Sequence, residues 1–259
     1  MVDLHIQEMR GGPRPLSNSE QKLIRSLQKK KYRDEERLFV AEGRKVIEPL
    51  LPFFGLRLLI SQSPYPGAAP ETWREASDTL LAKLSSLSDP SEEIAVFELP
   101  KRSAPFAPAE GITVALDAVQ NPGNLGTIIR LCDWLGIRAL LLGGGTADPF
   151  APKVVQATAG ALGNVSLIPA PDLPGLLRAA GFDRIIGASL SGVPLSQVPR
   201  EPLPGRTAVL FGNEGHGLSP ALSALCTDRI LIPAAPTAVG ESLNVSVSAA
   251  IVLSRLTGL

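Results

Sequence analysis

At 259 residues, the chain is long enough to bury a full core in one or two domains. Its 25 Lys plus Arg balance 25 Asp plus Glu, so bulk charge gives no argument for a polyanionic partner. Two isolated cysteines and the lack of an 18-residue apolar run exclude a disulfide scaffold and a membrane-spanning helix. With no signal-like stretch after Met1, a cytoplasmic protein is expected.

Residues 1–17, with Gly11-Gly12-Pro13 and Pro15, read as a poorly ordered leader. Ser17 or Ser19 is placed to cap a helix reaching about residue 31, because Leu23, Ile24 and Leu27 follow at helical spacing. A strand at Phe39-Val40 leads through Glu42-Gly43 into a helix over 44–51. One reading of Glu42-Gly43 is a plain turn with a carboxylate near the positive helix end, in a packed α/β appendage without a binding role. Leu56–Ile60 predicts a buried strand, followed by a proline-rich loop over 63–70, a helix near Asp78–Leu84 and a strand over Glu93–Leu99. Residues 10–45 hold 11 basic side chains against five acidic ones, an excess of 11 − 5 = 6. That excess fits a phosphate footprint or a solvated helix with its own counter-charges.

Pro100–Glu110 contains three prolines and reads as a linker. Beyond it, apolar runs at Ile112–Leu116, Ala139–Leu142, Val165–Ile168, Arg184–Ala188, Ala208–Phe211 and Arg229–Ile232 predict buried strands. Helical patterns alternate with them at Leu125–Leu135, Pro152–Ala161, Leu173–Ala180, Pro220–Leu225 and Leu243–Leu256. Such alternation predicts an α/β fold whose parallel sheet is covered on both faces. Cys132 and Cys226 fall in apolar stretches without a second cysteine or a histidine at ligand spacing, so no metal site is expected.

Three segments place polar side chains where a core would be apolar. In Asn121–Arg130, Asn124 is suited to cap the helix, and Arg130 lies about one and a half turns further in, where a planar guanidinium can grip a phosphate. In Gly212–Gly217 the order is Gly-x-x-Gly-x-Gly, which is not the dinucleotide fingerprint Gly-x-Gly-x-x-Gly and argues against a nucleotide-dependent oxidoreductase. In Ser242–Ser246, Ser242 can cap the last helix, whereas Asn244 and Ser246 would sit in an apolar first turn at a cost unless partnered.

Together these segments resemble the three motifs of the SpoU (TrmH) family of RNA ribose methyltransferases, in the SPOUT superfamily, over residues 111–259. Residues 18–99, through Phe39–Ile47 and Leu87–Val96, resemble the L30e-like substrate-binding domain attached to many such enzymes. The resemblance implies a trefoil-knotted methyltransferase domain and S-adenosylmethionine as cofactor. It also implies a homodimer formed through the C-terminal domain, and 2′-hydroxyl methylation of structured RNA, with ribosomal RNA favoured over transfer RNA. It places Arg130, Asn124, Glu214, Ser242 and Asn244 in the catalytic site and Gly212, Gly217, Ile232 and Leu243 at the cofactor. The loop Ala234–Glu241 departs from the family pattern, being slightly longer and lacking a glycine soon after Pro233. A rival expectation is a catalytically silent RNA-binding or ribosome-assembly protein of the same fold.

Overall fold

The computed structural model describes residues 14–65, 69, 71–101, 106–199 and 203–259. Most of the expected leader and parts of the 63–70 loop and the 100–110 linker therefore lie outside the described residues. Contacts divide the chain into one unit of residues 1–100 with 150–152, and a second of residues 101–149 with 153–259.

The first unit contains α1 (Asn18–Ser26), α2 (Lys30–Glu36), β1 (Leu38–Glu42), α3 (Arg44–Leu50), β2 (Leu56–Ser61), β3 (Trp73–Glu75), α4 (Asp78–Leu84) and β4 (Glu93–Glu98). Its sheet runs β1-β4-β2-β3, antiparallel except between β2 and β3. Alternate residues Val40, Leu58, Ile60, Ile94 and Val96 form one buried face, packed with Ile24 and Leu27 from the α1 end and Leu81 and Leu84 of α4. Phe39, Leu59 and Phe97 point the other way and are also buried.

Ser17, not Ser19, caps α1. Its hydroxyl accepts from the Glu20 amide at 3.2 Å, and its own amide donates to Glu20 Oε2 at 2.8 Å, a reciprocal capping box. Just upstream, Pro15 bridges Glu75 and Leu16 is buried. The helix expected to reach residue 31 ends at Ser26, and α2 restarts at Lys30. Buried Arg33 accounts for the break, since its guanidinium donates to the Leu27 carbonyl at 2.7 Å and replaces a helical partner. Strand β3 has no counterpart among the predicted strands. Three residues without an apolar run carry no periodicity, and tertiary pairing with Leu59–Ser61 and a 2.8 Å bond from Trp73 Nε1 to Ser61 Oγ hold it.

Glu42 also departs from expectation. Its buried carboxylate accepts from Ser85 Oγ, from the Ser86 amide at 2.9 Å and from Ser86 Oγ at 2.6 Å. It ties the end of β1 to the turn after α4 instead of serving the start of α3.

The second unit contains β5 (Gly111–Leu116), α5 (Pro122–Trp134), β6 (Ala139–Gly143), α6 (Pro152–Ala157), β7 (Ser166–Ala170), α7 (Leu173–Ala180), β8 (Arg184–Pro194), β9 (Arg206–Phe211), α8 (Pro220–Ser223), β10 (Asp228–Leu231) and α9 (Val245–Thr257). Six strands lie in the order β10-β8-β9-β5-β6-β7, and every pair is parallel, as the alternation predicts. Ala115, Leu141, Ile185, Ala208 and Leu210 pack with Leu173, Leu177 and Leu222 of α7 and α8. Val114, Leu116, Val209 and Phe211 alternate with them and are buried on the opposite face, so both sides of the sheet are covered. Helices α5 and α9 pack on each other.

Strand β8 outruns its predicted end at Ala188. Its pairing with β10 jumps from Gly187↔Arg229 to Val193↔Ile230, so residues 188–192 bulge out and pairing resumes beyond them. Helix α6 stops at Ala157, short of the expected Ala161, and a single 3-10 turn follows at Ala161–Gly163. At Gly126 an added Cβ would lie 2.4 Å from Ala157 Cβ, so α5 and α6 approach at a contact only glycine permits. Cys132 is fully buried in α5, and burial pushes its thiol pKa up to about 12. Cys226 lies past the end of α8, half-buried, with its thiol raised by the same cause. Among the described residues no helix is long and apolar enough to cross a membrane.

Candidate active site

Because all six strands are parallel, their carboxyl ends share one edge, where α/β sheets bind ligands. Strand β5 runs into Asp117-Ala118, β9 into Gly212-Asn213, and β10 into Ile232. Asp117 continues the pairing, its amide donating to the Phe211 carbonyl at 2.9 Å, while its Oδ2 accepts from the Ser219 amide at 2.7 Å. Ala118 takes a left-handed φ of 54°, a conformation costing a non-glycine residue about 1 kcal/mol or more. Its carbonyl thereby accepts from Asn213 Nδ2 at 2.9 Å.

Asn213 Oδ1 accepts from the Gly215 and His216 amides at 2.9 and 3.3 Å, closing the glycine-rich turn as an Asx motif. The turn is tight. A Cβ on Gly212 would fall 2.1 Å from the Gly217 carbonyl carbon, and the backbones of Asn213 and Gly217 pair through bonds of 3.0 and 2.9 Å. No larger residue fits at 212 without moving the main chain.

Glu214 projects from this turn, and its Oε1 accepts from Asn124 Nδ2 at 2.8 Å. Asn124 Oδ1 in turn accepts from Asn244 Nδ2 at 3.0 Å. Asn244 Oδ1 then accepts from the Ser246 and Val247 amides at 2.9 and 3.4 Å and from Ser246 Oγ at 2.6 Å. The order is forced. A carboxylate only accepts, so each amide must present its NH2 toward Glu214 and its oxygen toward α9, whose free N–H groups supply the positive end. Residues from three distant segments are thus joined by one polarised file of hydrogen bonds.

Two expected caps belong to other residues. Asn121 caps α5, accepting from the Gly123 and Asn124 amides at 2.8 and 3.2 Å. Pro122 at the first helical position signals this, because its fixed φ suits that place and assigns the cap to the residue before it. Asn124 is thereby freed to reach Glu214. Asn244, not Ser242, caps α9, so its amide is neither buried nor unpartnered. Ser246 is buried, and its hydroxyl finds its partner in Asn244.

The remaining expected residues are placed as follows. Arg130 is exposed on α5 and, among the described residues, makes no hydrogen bond or ion pair. Nothing joins it to the Glu214 file. Ser242 is exposed in the segment leading to α9, and Leu243 is half exposed at 51%. Ile232 is half-buried just past the end of β10. Asn121 and Asn213, absent from the expected site, carry the local geometry. Pro122 is a signal for the first, whereas no neighbouring residue marks Asn213, whose amide is fixed by a carbonyl 95 positions away, beyond β5. Among the described residues no group of His, Cys, Asp and Glu is arranged to hold a metal ion.

Residues 111–254 match the SpoU rRNA Methylase family, and residues 18–95 match an MRM3-like substrate binding domain. The chain is 30% identical over 249 residues, 93% of its length and 97% of the relative's, to the 23S rRNA (guanosine(2553)-2'-O)-methyltransferase RlmP of Bacillus subtilis (strain 168). It superposes on a TrmH-family structure from Porphyromonas gingivalis with TM-score 0.83 and 37% identity, covering 94% of this chain and 98% of that one. An AdoMet-bound rRNA methyltransferase from Sinorhizobium meliloti gives TM-score 0.78 and 31% identity, covering 93% and 95%.

Proposed function

Since the chain belongs to the SpoU rRNA methylase family, we propose that it transfers a methyl group from S-adenosylmethionine to a ribose 2′-hydroxyl of ribosomal RNA. The observation that carries the site assignment is the hydrogen-bonded file Glu214–Asn124–Asn244, which draws the three motif segments to one sheet edge.

The residues present suit the cofactor. Gly212 and Gly217 bring bare backbone to the edge, and Leu243 leaves an apolar side chain half exposed one residue before Asn244. With Ile232 at the end of β10, these groups would hold the adenosine and the sulfonium-bearing methionine chain largely through backbone and apolar contact. When bound, S-adenosylmethionine supplies an electrophilic methyl on a sulfonium, which requires alignment more than covalent help.

Alignment is the work of the protein. Arg130, exposed and without a partner among the described residues, would grip the target phosphate with its planar fork and set the ribose hydroxyl in line. Asn124 and Asn244 would hold the substrate loop and the helix start in register, with Glu214 fixing the direction of their amides. Ser242 would face the transfer site. Holding both reactants in place lowers the barrier by roughly 7–11 kcal/mol in favourable cases.

The same reading includes a homodimer through the second unit. Leu243, Val247 and Ile251 recur four residues apart around the start of α9 and are exposed at 51%, 47% and 38%, an apolar stripe suited to a second copy. It also includes trefoil threading of the C-terminal segments, supported by β9 lying between β5 and β8 and by α9 packing on α5. A ribosomal substrate would put the enzyme in the cytoplasm.

The full chain, given radiolabelled S-adenosylmethionine and unmodified 23S rRNA, is expected to label ribose 2′-oxygens. Label on bases, or none, would sink the reading. Absence of heat on calorimetric titration with the cofactor would favour a catalytically silent RNA-binding protein.

A further inference from the structure

The first unit carries a basic segment whose charges are not equivalent. On α2, Lys30 and Lys31 are met by Asp34 and Glu35 one turn on, at 2.9 and 3.8 Å. Arg33 is buried against the Leu27 carbonyl, Arg37 donates to the Pro100 carbonyl, and Arg44 lies 3.7 Å from Glu48 and 3.4 Å from Glu93. These five cations already have local partners. Lys22, Arg25 and Lys29 differ, being exposed and, among the described residues, free of hydrogen bonds and ion pairs; Arg14 and Lys45 are likewise free but stand apart from this group of three, upstream of α1 and on α3.

Their placement is also ordered. At about 100° per residue, Lys22 and Arg25 share one side of α1, turned away from buried Ile24 and Leu27. The Gln28 and Lys29 amides donate to the Arg25 and Ser26 carbonyls at 3.4 and 2.9 Å, which carries the turn on from α1 to Lys29, the residue before α2. Other wholly or partly exposed positions of this turn and helix, besides Glu20, are the neutral donors Asn18, Ser19, Gln21, Ser26 and Gln28 and the apolar Leu23, which packs against the core. The helix has a single acid, Glu20, and it is drawn away from the stripe. It closes the capping box and pairs with Arg74 at 3.0 Å. The outer surface of α1 and the turn after it therefore presents three cations, uncompensated among the described residues, amid amides and hydroxyls and with Glu20 drawn to other partners.

We infer that this face of α1 is where the first unit holds the sugar–phosphate backbone of the RNA substrate, with Lys22, Arg25 and Lys29 as phosphate contacts. The paired cations of α2 take no such part. The inference rests on the proposed RNA substrate and deepens it, naming where the backbone is held away from the methyl-transfer site. A surface of cations, amides and hydroxyls fits phosphate and sugar oxygens and carries no base-reading element, so it contributes affinity and register but not sequence choice. Its contribution should be strongly salt-dependent, because each neutralised phosphate releases counter-ions.

The test compares two full-length variants, Lys22→Ala/Arg25→Ala/Lys29→Ala and Lys30→Ala/Lys31→Ala, for binding to unmodified 23S rRNA between about 50 and 250 mM salt. The triple variant is expected to flatten the slope of log affinity against log salt by about 2–3 and to bind at least about tenfold more weakly near 100 mM. The double variant should keep the parent slope. Unchanged melting of both variants, expected for exposed side chains, separates lost contact from lost fold. If the parent binds RNA and the triple variant keeps its slope, the assignment of α1 is overturned while the RNA substrate stands. A parent that transfers no methyl and binds no RNA overturns both. Equal weakening by the two variants overturns it too, since that is the response of a diffuse field and not of an α1 contact face.

Discussion

Asn244 Nδ2 donates to Asn124 Oδ1 at 3.0 Å across a separation of 120 residues, and that one bond ties the start of α9 to the first turn of α5. With Glu214 at the other side of Asn124, every donor and acceptor in the file has one allowed direction. The arrangement can therefore be inverted and tested.

Asn124→Asp sets a carboxylate against Glu214 and removes the donor between them, so about 1–2 kcal/mol of stability should be lost. Glu214→Gln added to that variant restores a donor facing the new carboxylate, which can still accept from Asn244. Denaturant unfolding should find the double variant more stable than Asn124→Asp alone. If the two are equally unstable, the file does not hold the segments together.

Arg130 has no structural partner to lose among the described residues. Arg130→Ala should keep its melting temperature and its affinity for S-adenosylmethionine while turnover falls by about 10²-fold or more, the usual scale for losing a positioned charge. Arg130→Lys should recover little, because an ammonium lacks the planar fork. Full activity in Arg130→Ala would remove this residue from catalysis.

Gly212→Ala forces a Cβ to within 2.1 Å of the Gly217 backbone. The main chain must shift, at a cost of about 1–3 kcal/mol. Weaker cofactor binding is expected with it, since the same turn would line the cofactor edge. Calorimetry showing parental affinity would mean the turn is not part of that site.

Cys132 gives a pH dependence. Its folded pKa of about 12 lies above the ordinary thiol value because burial opposes the thiolate. The folded state then holds a proton that the unfolded chain releases, so stability is complete below about pH 8.5 and falls as pH rises through the range up to about 12. By about pH 10 the loss from this group is about 2 kcal/mol. Half-buried Cys226 acts in the same direction. Unfolding curves for Cys132→Ala should fall less between about pH 8 and 10 than those of the parent. Equal slopes would count against the buried-thiol account.

Glu42→Ala leaves the Ser86 amide and two serine hydroxyls without their buried acceptor, so about 1–3 kcal/mol of stability should go. A melting temperature within about a degree of the parent would show that water replaces the carboxylate.

The amino-acid pattern alone was enough for the parallel α/β unit, because long apolar runs alternating with helical periods leave few other ways to bury both sheet faces. It also carried the motif residues, through their resemblance to a known family. Local competition was harder to read. Pro122 marks Asn121 over Asn124 as the cap of α5, but Ser242 and Asn244 have equal capping ability as residue types, and only the backbone path decides which takes the start of α9. Among the charges of 10–45, the acids one turn beyond Lys30 and Lys31 were legible from spacing, whereas the burial of Arg33 and the distant partners of Arg37 and Arg44 came only with the structure. Strand β3 and the bulge in β8 depend on partners far along the chain, so short-range periodicity holds no trace of them. What tertiary structure decided was pairing: a hydrogen bond needs two groups within about 3 Å, and chain spacing fixes that distance only inside a helix, a turn or a strand.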